Sequence, residues 1–284
     1  MIIATPPRFL SVVLLCVFLP ANSLFPATVR AEAQSPLSAQ QIVDQMVRAE
    51  SAANKERDHF LYREVARSAR TKGHLWKELV IETEEGRLRR LVAEDGRPLS
   101  TERAQAENQR ITNLVNHPDV FRREAESRKQ DEARMANVLN RLPQIYQFRI
   151  ESTQGDLIRI AFAPNPAFQE DSYQDRVVHA MSGVLSIHQP DMRLCGIEAH
   201  LDHKVEFGFG LLGEVSDESH FSIVRAAVDA GQWKTTRLLI HVDGNMLLLK
   251  SFSRDEDASH YGFKQVGENL TVLQAANILR ATTF

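Results

Sequence analysis

Ser38 followed by Gln41 is the signature of a capping box, in which the two side chains satisfy free amides at a helix start. Ile42, Val43, Met46, Val47 and Ala53 then recur at helical spacing, so the pattern predicts an amphipathic helix with one apolar stripe. From about Arg57 the period shifts toward two. Phe60, Tyr62 and Glu64 fall on one side of a strand and Leu61, Arg63 and Val65 on the other. Turn signals at Lys72-Gly73, Glu84-Glu85-Gly86 and Asp95-Gly96 bracket further strand runs at 75–83 and 88–93, which reads as an antiparallel meander.

After Pro98 the composition becomes helical from Ser100, a capping residue, to about Arg141. Asn116-His117-Pro118 divides this insertion, because proline suits the first turn of a new helix. Ile111, Leu114 and Val115 mark the buried side of the first piece, and Phe121, Met135, Val138, Leu139 and Leu142 that of the second. The stretch 122–134 is nearly all polar, with Glu124 and Arg128 spaced for an i,i+4 pair, and reads as a solvated face.

Strand periodicity returns after Pro143, in runs at 146–150, 157–162, 177–181 and 184–188, with Gly155, Gly183, Asp191 and Gly196 as bends. Val205-Glu206-Phe207-Gly208-Phe209 alternates most cleanly and puts three large apolar groups on one face. Runs at 221–224, 235–242 and 246–252 follow, the last two joined by an Asp243-Gly244-Asn245 hairpin signal, and 271–279 reads as a short closing helix. The fold class is therefore α+β, dominated by antiparallel strands.

The N-terminus changes the compartment. Arg8 precedes an apolar run at 9–19, and the small-residue triplet Ala31-Glu32-Ala33 follows, the layout of a secretory signal peptide cleaved near Gln34. The run is too short for a membrane-spanning helix, which needs roughly 20 residues, so no integral membrane segment is expected after cleavage. Residues 34–284 are read as a single domain exported to the periplasm. The formal charge of -3 moves to about -4 on loss of Arg8, Arg30 and Glu32, a balance with no electrostatic footprint for nucleic acid. Of two cysteines only Cys195 outlasts processing, so no intramolecular disulfide is available. Leu14 and Leu15 before Cys16 are too bulky for a lipoprotein signal, and Cys195 reads as a small buried hydrophobe.

Candidate chemistry is sparse. Glu198-x-His200-x-Asp202-His203 has a partial likeness to the His-x-His-x-Asp-His run of metallo-β-lactamase-fold hydrolases, but 204–210 continues as a strand and His203 then points away from His200. His220, His241 and His260 downstream sit in no recognisable ligand pattern. Ser182-Gly183 reads as part of a hairpin and not as a nucleophile elbow. Gly208 and Gly210 lack the third glycine of a dinucleotide loop. Trp76 and Trp233 read as core or rim aromatics. No catalytic residue, metal ligand or cofactor is assigned.

A signal peptide, one amphipathic helix, three strands, a helical insertion and a long antiparallel series together resemble the outer-membrane lipoprotein-sorting superfamily, which includes the periplasmic lipoprotein carriers. The segments that carry the resemblance are 60–70 as first strand, 176–188 with its central Ser182-Gly183, and Phe207-Gly208-Phe209 as a later strand. It implies a strongly curved antiparallel sheet, an open half-barrel, with helices covering its concave face over an apolar cavity that receives lipid acyl chains or a lipid-modified protein. On that reading Val205, Phe207, Phe209, Ile240 and Leu248 are the candidate ligand-binding residues; the same five also suit an ordinary core beneath the helices. Two other functions stay open: a non-catalytic periplasmic interaction or sensing module that grips a protein partner with its insertion, and a metal-dependent hydrolase.

Overall fold

Hydrogen bonding between the first strand and the last organises the computed structural model of this chain. The described residues are 37–54, 59–207, 213–228, 231–246 and 249–284, with the side chains of 124, 127–128, 246 and 249–252 left aside. The signal segment, Phe209, Leu248 and the Glu124–Arg128 pair therefore lie outside the description. Residues Leu37–Phe284 form one compact unit.

Helix α1 (Ala39–Ala53) starts at Ser38 with the capping box complete, and Ile42, Val43, Met46 and Val47 are buried along its stripe. Strands β1 (His59–Ser68), β2 (Trp76–Thr83), β3 (Gly86–Glu94) and the two-residue β4 (Arg97–Pro98) form the meander. Lys72, Gly73, Asp95 and Gly96 take the positive φ values that its turns require. Helices α2 (Thr101–Asn116) and α3 (Pro118–Ile145) then follow, broken at Pro118, which sits at the start of α3 as the sequence indicates. Helix α3 runs through Pro143 to Ile145, slightly past the expected end.

Next come β5 (Tyr146–Gln154), β6 (Leu157–Pro164), α4 (Tyr173–His179), β7 (Met181–His188), β8 (Arg193–Leu201), β9 (Val205–Phe207), β10 (Gly213–Val215), β11 (His220–Ala227), β12 (Trp233–Met246), β13 (Leu249–Val266) and α5 (Val272–Ala281). All the pairings are antiparallel, in the order β4-β3-β2-β1-β13-β12-β11-β8-β7-β6-β5, and β9 and β10 branch from β12. The sheet is open, with β4 and β5 as its ends.

Three sequence expectations need correction. The 177–181 run belongs largely to helix α4, whose N-cap Ser172 accepts a hydrogen bond from the Asp175 amide. Gly183 is not a turn but lies inside β7, opposite Ala199 and Phe162. A Cβ there would stand 2.0 Å from the Glu198 carbonyl oxygen, so the glycine marks close backbone approach. Asp243-Gly244 likewise lies within β12, opposite Ser253 and Phe252, with a register shift just beyond it.

Side-chain alternation and register define two faces. On one, Ile158, Ile160, Phe162, Leu185, Ile187, Leu194 and Ala199 pack against the α1 stripe and the Leu142–Ile145 end of α3. On the other, Leu61, Leu79, Ile81 and Leu88 pack against α2 and α5 through Ile111, Leu114, Val272, Ala275, Ala276 and Leu279. The helices thus divide between the faces. Phe121 near the start of α3 joins the second core and Leu142 near its end joins the first. Met135, expected on the buried side, is 58% exposed because it lies between these two anchorages.

Gly183→Ala is expected to lower unfolding stability by at least about 1–3 kcal/mol, the usual cost of overpacking. Urea denaturation followed by circular dichroism measures it; an unchanged midpoint would show that β7 and β8 do not approach as closely as described.

Candidate functional site

The face that carries the α1 core continues across β11, β12, β13 and β1 to β3, and there the side chains become charged. Register places Ile223, Leu238, Ala258, Ala66 and Glu64 on this face. Together with α1 and the middle of α3 it bounds a cavity of about 1190 Å³. Apolar lining comes from Tyr62, Ile223, Leu238, Ala258 and Phe263, and Tyr62 stacks on Phe263 with ring centroids 5.0 Å apart.

Three carboxylates organise the charged wall. Glu64 on β1 is 5% exposed and accepts from Arg70 Nη2 at 2.9 Å and from Arg89. Its second oxygen meets His260 Nε2 at 3.1 Å, while His260 Nδ1 meets the Thr235 carbonyl at 3.0 Å. Glu78, opposite Glu64 in register, shares Arg70 at 2.6 Å. Burial alone would raise the Glu64 pKa; the His260 hydrogen bond and the Arg89 charge overcome it and hold the carboxyl well below the usual range.

Glu82 on β2 accepts from Lys234 Nζ at 2.9 Å and lies 3.6 Å from Arg87, which also reaches Glu132 of α3 at 2.9 Å. Glu50 of α1 accepts from Arg193 Nε and lies as close to Arg225 Nη1, both at 2.9 Å, and also accepts from the Leu194 amide. Burial acts to raise its pKa and the two arginines bring it below normal. These ties pin α1 and α3 over the cavity by charge as well as by packing. Burial pushes the Tyr62 hydroxyl up to about 12, so it serves as a neutral wall group.

Of the predicted site residues, the three described ones fall elsewhere or at the margin. Val205 and Phe207 are buried in a small cluster with Ala180, Leu201 and Val215, and Phe207 meets the Tyr173 ring edge at 5.0 Å. Ile240 is half-buried on β12, opposite Glu256, and so shares the cavity face without lining the cavity among the described residues. Phe209 and Leu248 are outside the description. Trp233 does lie at the rim, its indole N–H donating to Asp191 at 3.0 Å. Cys195 is half-buried, and burial pushes its thiol up, consistent with a packing role.

Sequence reasoning missed Glu64, Arg89 and His260 because their partners come from strands far apart in the chain. The one local signal was Glu64 in line with Phe60 and Tyr62 on the face of β1. Comparison with protein-family models, with curated proteins and with solved structures returns no match. No helix among the described residues is long and apolar enough to cross a membrane.

Glu64→Gln removes the charge that balances Arg89, and breaking a buried pair of this kind costs about 3–5 kcal/mol. Because the folded-state pKa of Glu64 is depressed, its contribution is fully present above the unfolded carboxylate value of about 4.3 and is lost as pH falls below it. Thermal melts from pH 7 to 3 should show a lower melting temperature for Glu64→Gln at neutral pH and a shallower acid decline than in the parent chain. Parallel pH profiles would remove Glu64 as the acid-sensitive group.

Proposed function

We propose that this chain is an exported, non-catalytic binding protein that carries an amphiphile in the periplasm, with acyl chain against the apolar strip Ile223–Leu238–Ala258 and polar headgroup against the charged wall. The observation that carries this reading is the cavity itself. Its volume exceeds the ~300–1,000 Å³ of a drug-sized site, and its lining divides into an apolar strip and hydrogen-bonding groups that would orient a ligand. Each methylene buried on the strip would contribute about 0.8 kcal/mol, which gives useful but reversible binding.

The half-barrel expectation belongs to the same reading. Lys234 on β12 reaches Glu82 on β2 at 2.9 Å across two intervening strands. In a flat sheet those strands stand about 14 Å apart, and side chains that rise from the sheet meet over that span when it bends toward them. Lys234 also sits 4.6 Å from the Phe60 ring centroid, two strands away. This supports a concave cavity face, with α1 and α3 rather than every helix as its cover.

A wholly apolar ligand fits less well than an amphiphile, since the Glu50, Glu64 and Glu82 clusters would face hydrocarbon. The mixed chemistry of the lining therefore favours an amphiphile over a pure hydrocarbon.

Native mass spectrometry after periplasmic expression should detect bound lipid, and a fluorescent acyl amphiphile should bind reversibly. Leu238→Trp, which fills the apolar strip, is expected to weaken that probe at least about tenfold, the effect of losing roughly 1.4 kcal/mol. Protein that is consistently empty and ignores the probe would overturn the assignment.

A further inference from the structure

On the sheet face away from the cavity, the fold aligns residues that the sequence scatters. Ser182 on β7 is directly opposite His200 on β8, His200 opposite His220 on β11, His220 opposite His241 on β12, and His241 opposite Asp255 on β13. One row perpendicular to the strands thus reads Ser-His-His-His-Asp. Their neighbours Ala199, Phe221 and Ile240 take the other face, and on the histidine face Val224 is 45% exposed, so this side of β11 is open to solvent.

The central pair shares one feature with metal-ligating histidines, an oxygen partner on Nδ1 of each ring. The His220 and His241 rings lie 5.3 Å apart between centroids with planes 33° from parallel. The His220 Nδ1–H donates to the Glu218 carbonyl at 2.8 Å and the His241 Nδ1–H to the Asp255 carboxylate at 2.7 Å. Carbonyl and carboxylate oxygens only accept, so in each neutral ring the proton sits on Nδ1 and the lone pair on Nε2. Ligating histidines carry this same support on the ring nitrogen that does not bind the metal. Directly opposed residues have Cβ atoms about 4.5–5.5 Å apart, a span that lets two Nε2 atoms share one ion at about 2.0–2.1 Å each.

We propose that His220 and His241, with His200 as third ligand, form a binding site for a borderline divalent cation of the zinc class on this face. His200 meets Asp202 at 3.2 Å and Ser182 at 3.4 Å through Nε2, and no three donors converge on one point among the described residues. Ion binding therefore turns the His200 ring toward His220, a movement its 59% exposure leaves room for. Imidazole donors select zinc, copper or nickel over magnesium and calcium. The site lies on the opposite face from the cavity and does not depend on the amphiphile reading.

The test is isothermal titration of the untagged full chain with zinc sulfate, and with magnesium sulfate as comparator. One zinc per chain is expected, with no magnesium uptake. His220→Ala and His241→Ala should each weaken zinc at least about a hundredfold, and Asp255→Asn about tenfold, the low end for loss of a supporting group. His74→Ala should change nothing, since His74 has the same carboxylate support from Asp95 at 2.7 Å but lies outside the row. Circular dichroism verifies the fold of each variant, and His241→Gln replaces any alanine variant that fails to fold. Absence of saturable zinc uptake, or uptake that survives loss of both His220 and His241, overturns the proposal.

Discussion

The pairing of β1 with β13 is the constraint on which the rest depends. It hydrogen-bonds His59–Ser68 to the last strand across nearly the whole chain, and so joins the N-terminal meander to the β5–β13 series as one sheet. Without it, β1 to β4 with α2 and α5 would be one packed unit and the remaining strands with α1 another. Such long-range closure carries an entropy cost that only the contacts made afterward offset. Those contacts are substantial, because the seam places Glu64 beside His260 and Tyr62 beside Phe263. The cavity lies over that seam.

The same constraint explains why the cavity wall is ionic. Where α1 lies on the sheet, Ile160, Leu185 and Ile187 fill the interface. Across β1 and β13 the space remains open, and buried charges there persist only when paired. Glu50, Glu64 and Glu82 are each held by at least two bases drawn from other elements. A wall of this kind fixes α1 and α3 in position.

Much of the local structure was legible in the sequence. The Ser38 capping box, the Pro118 break and the Asp95-Gly96 turn are signals carried within a few residues, and each falls where the pattern puts it. The strand pattern reaches only to 252, although β13 continues to Val266. Its later half alternates Glu256, Ala258 and His260 toward the cavity with Asp257 and Ser259 away from it, so burial gives it no apolar period to recognise. Gly183 and Gly244 look like turns in the sequence because a glycine signals bend and close strand approach alike, and only register separates the two. The charged wall was invisible for a deeper reason: Glu64 and His260 lie far apart in the chain, and only the β1–β13 pairing brings them together. Val205 and Phe207 had the clearest alternation of all, and it marks a small local core.

The central claim is that the space over the β1–β13 seam is the binding site. Photo-crosslinking with an acyl amphiphile that carries a diazirine near the chain terminus, followed by peptide mapping, addresses it directly. The account predicts labelling within 62–66, 223–238 and 256–263, competed by unlabelled amphiphile. Competed labelling confined to the Val205–Phe207 cluster or to the histidine face would contradict it.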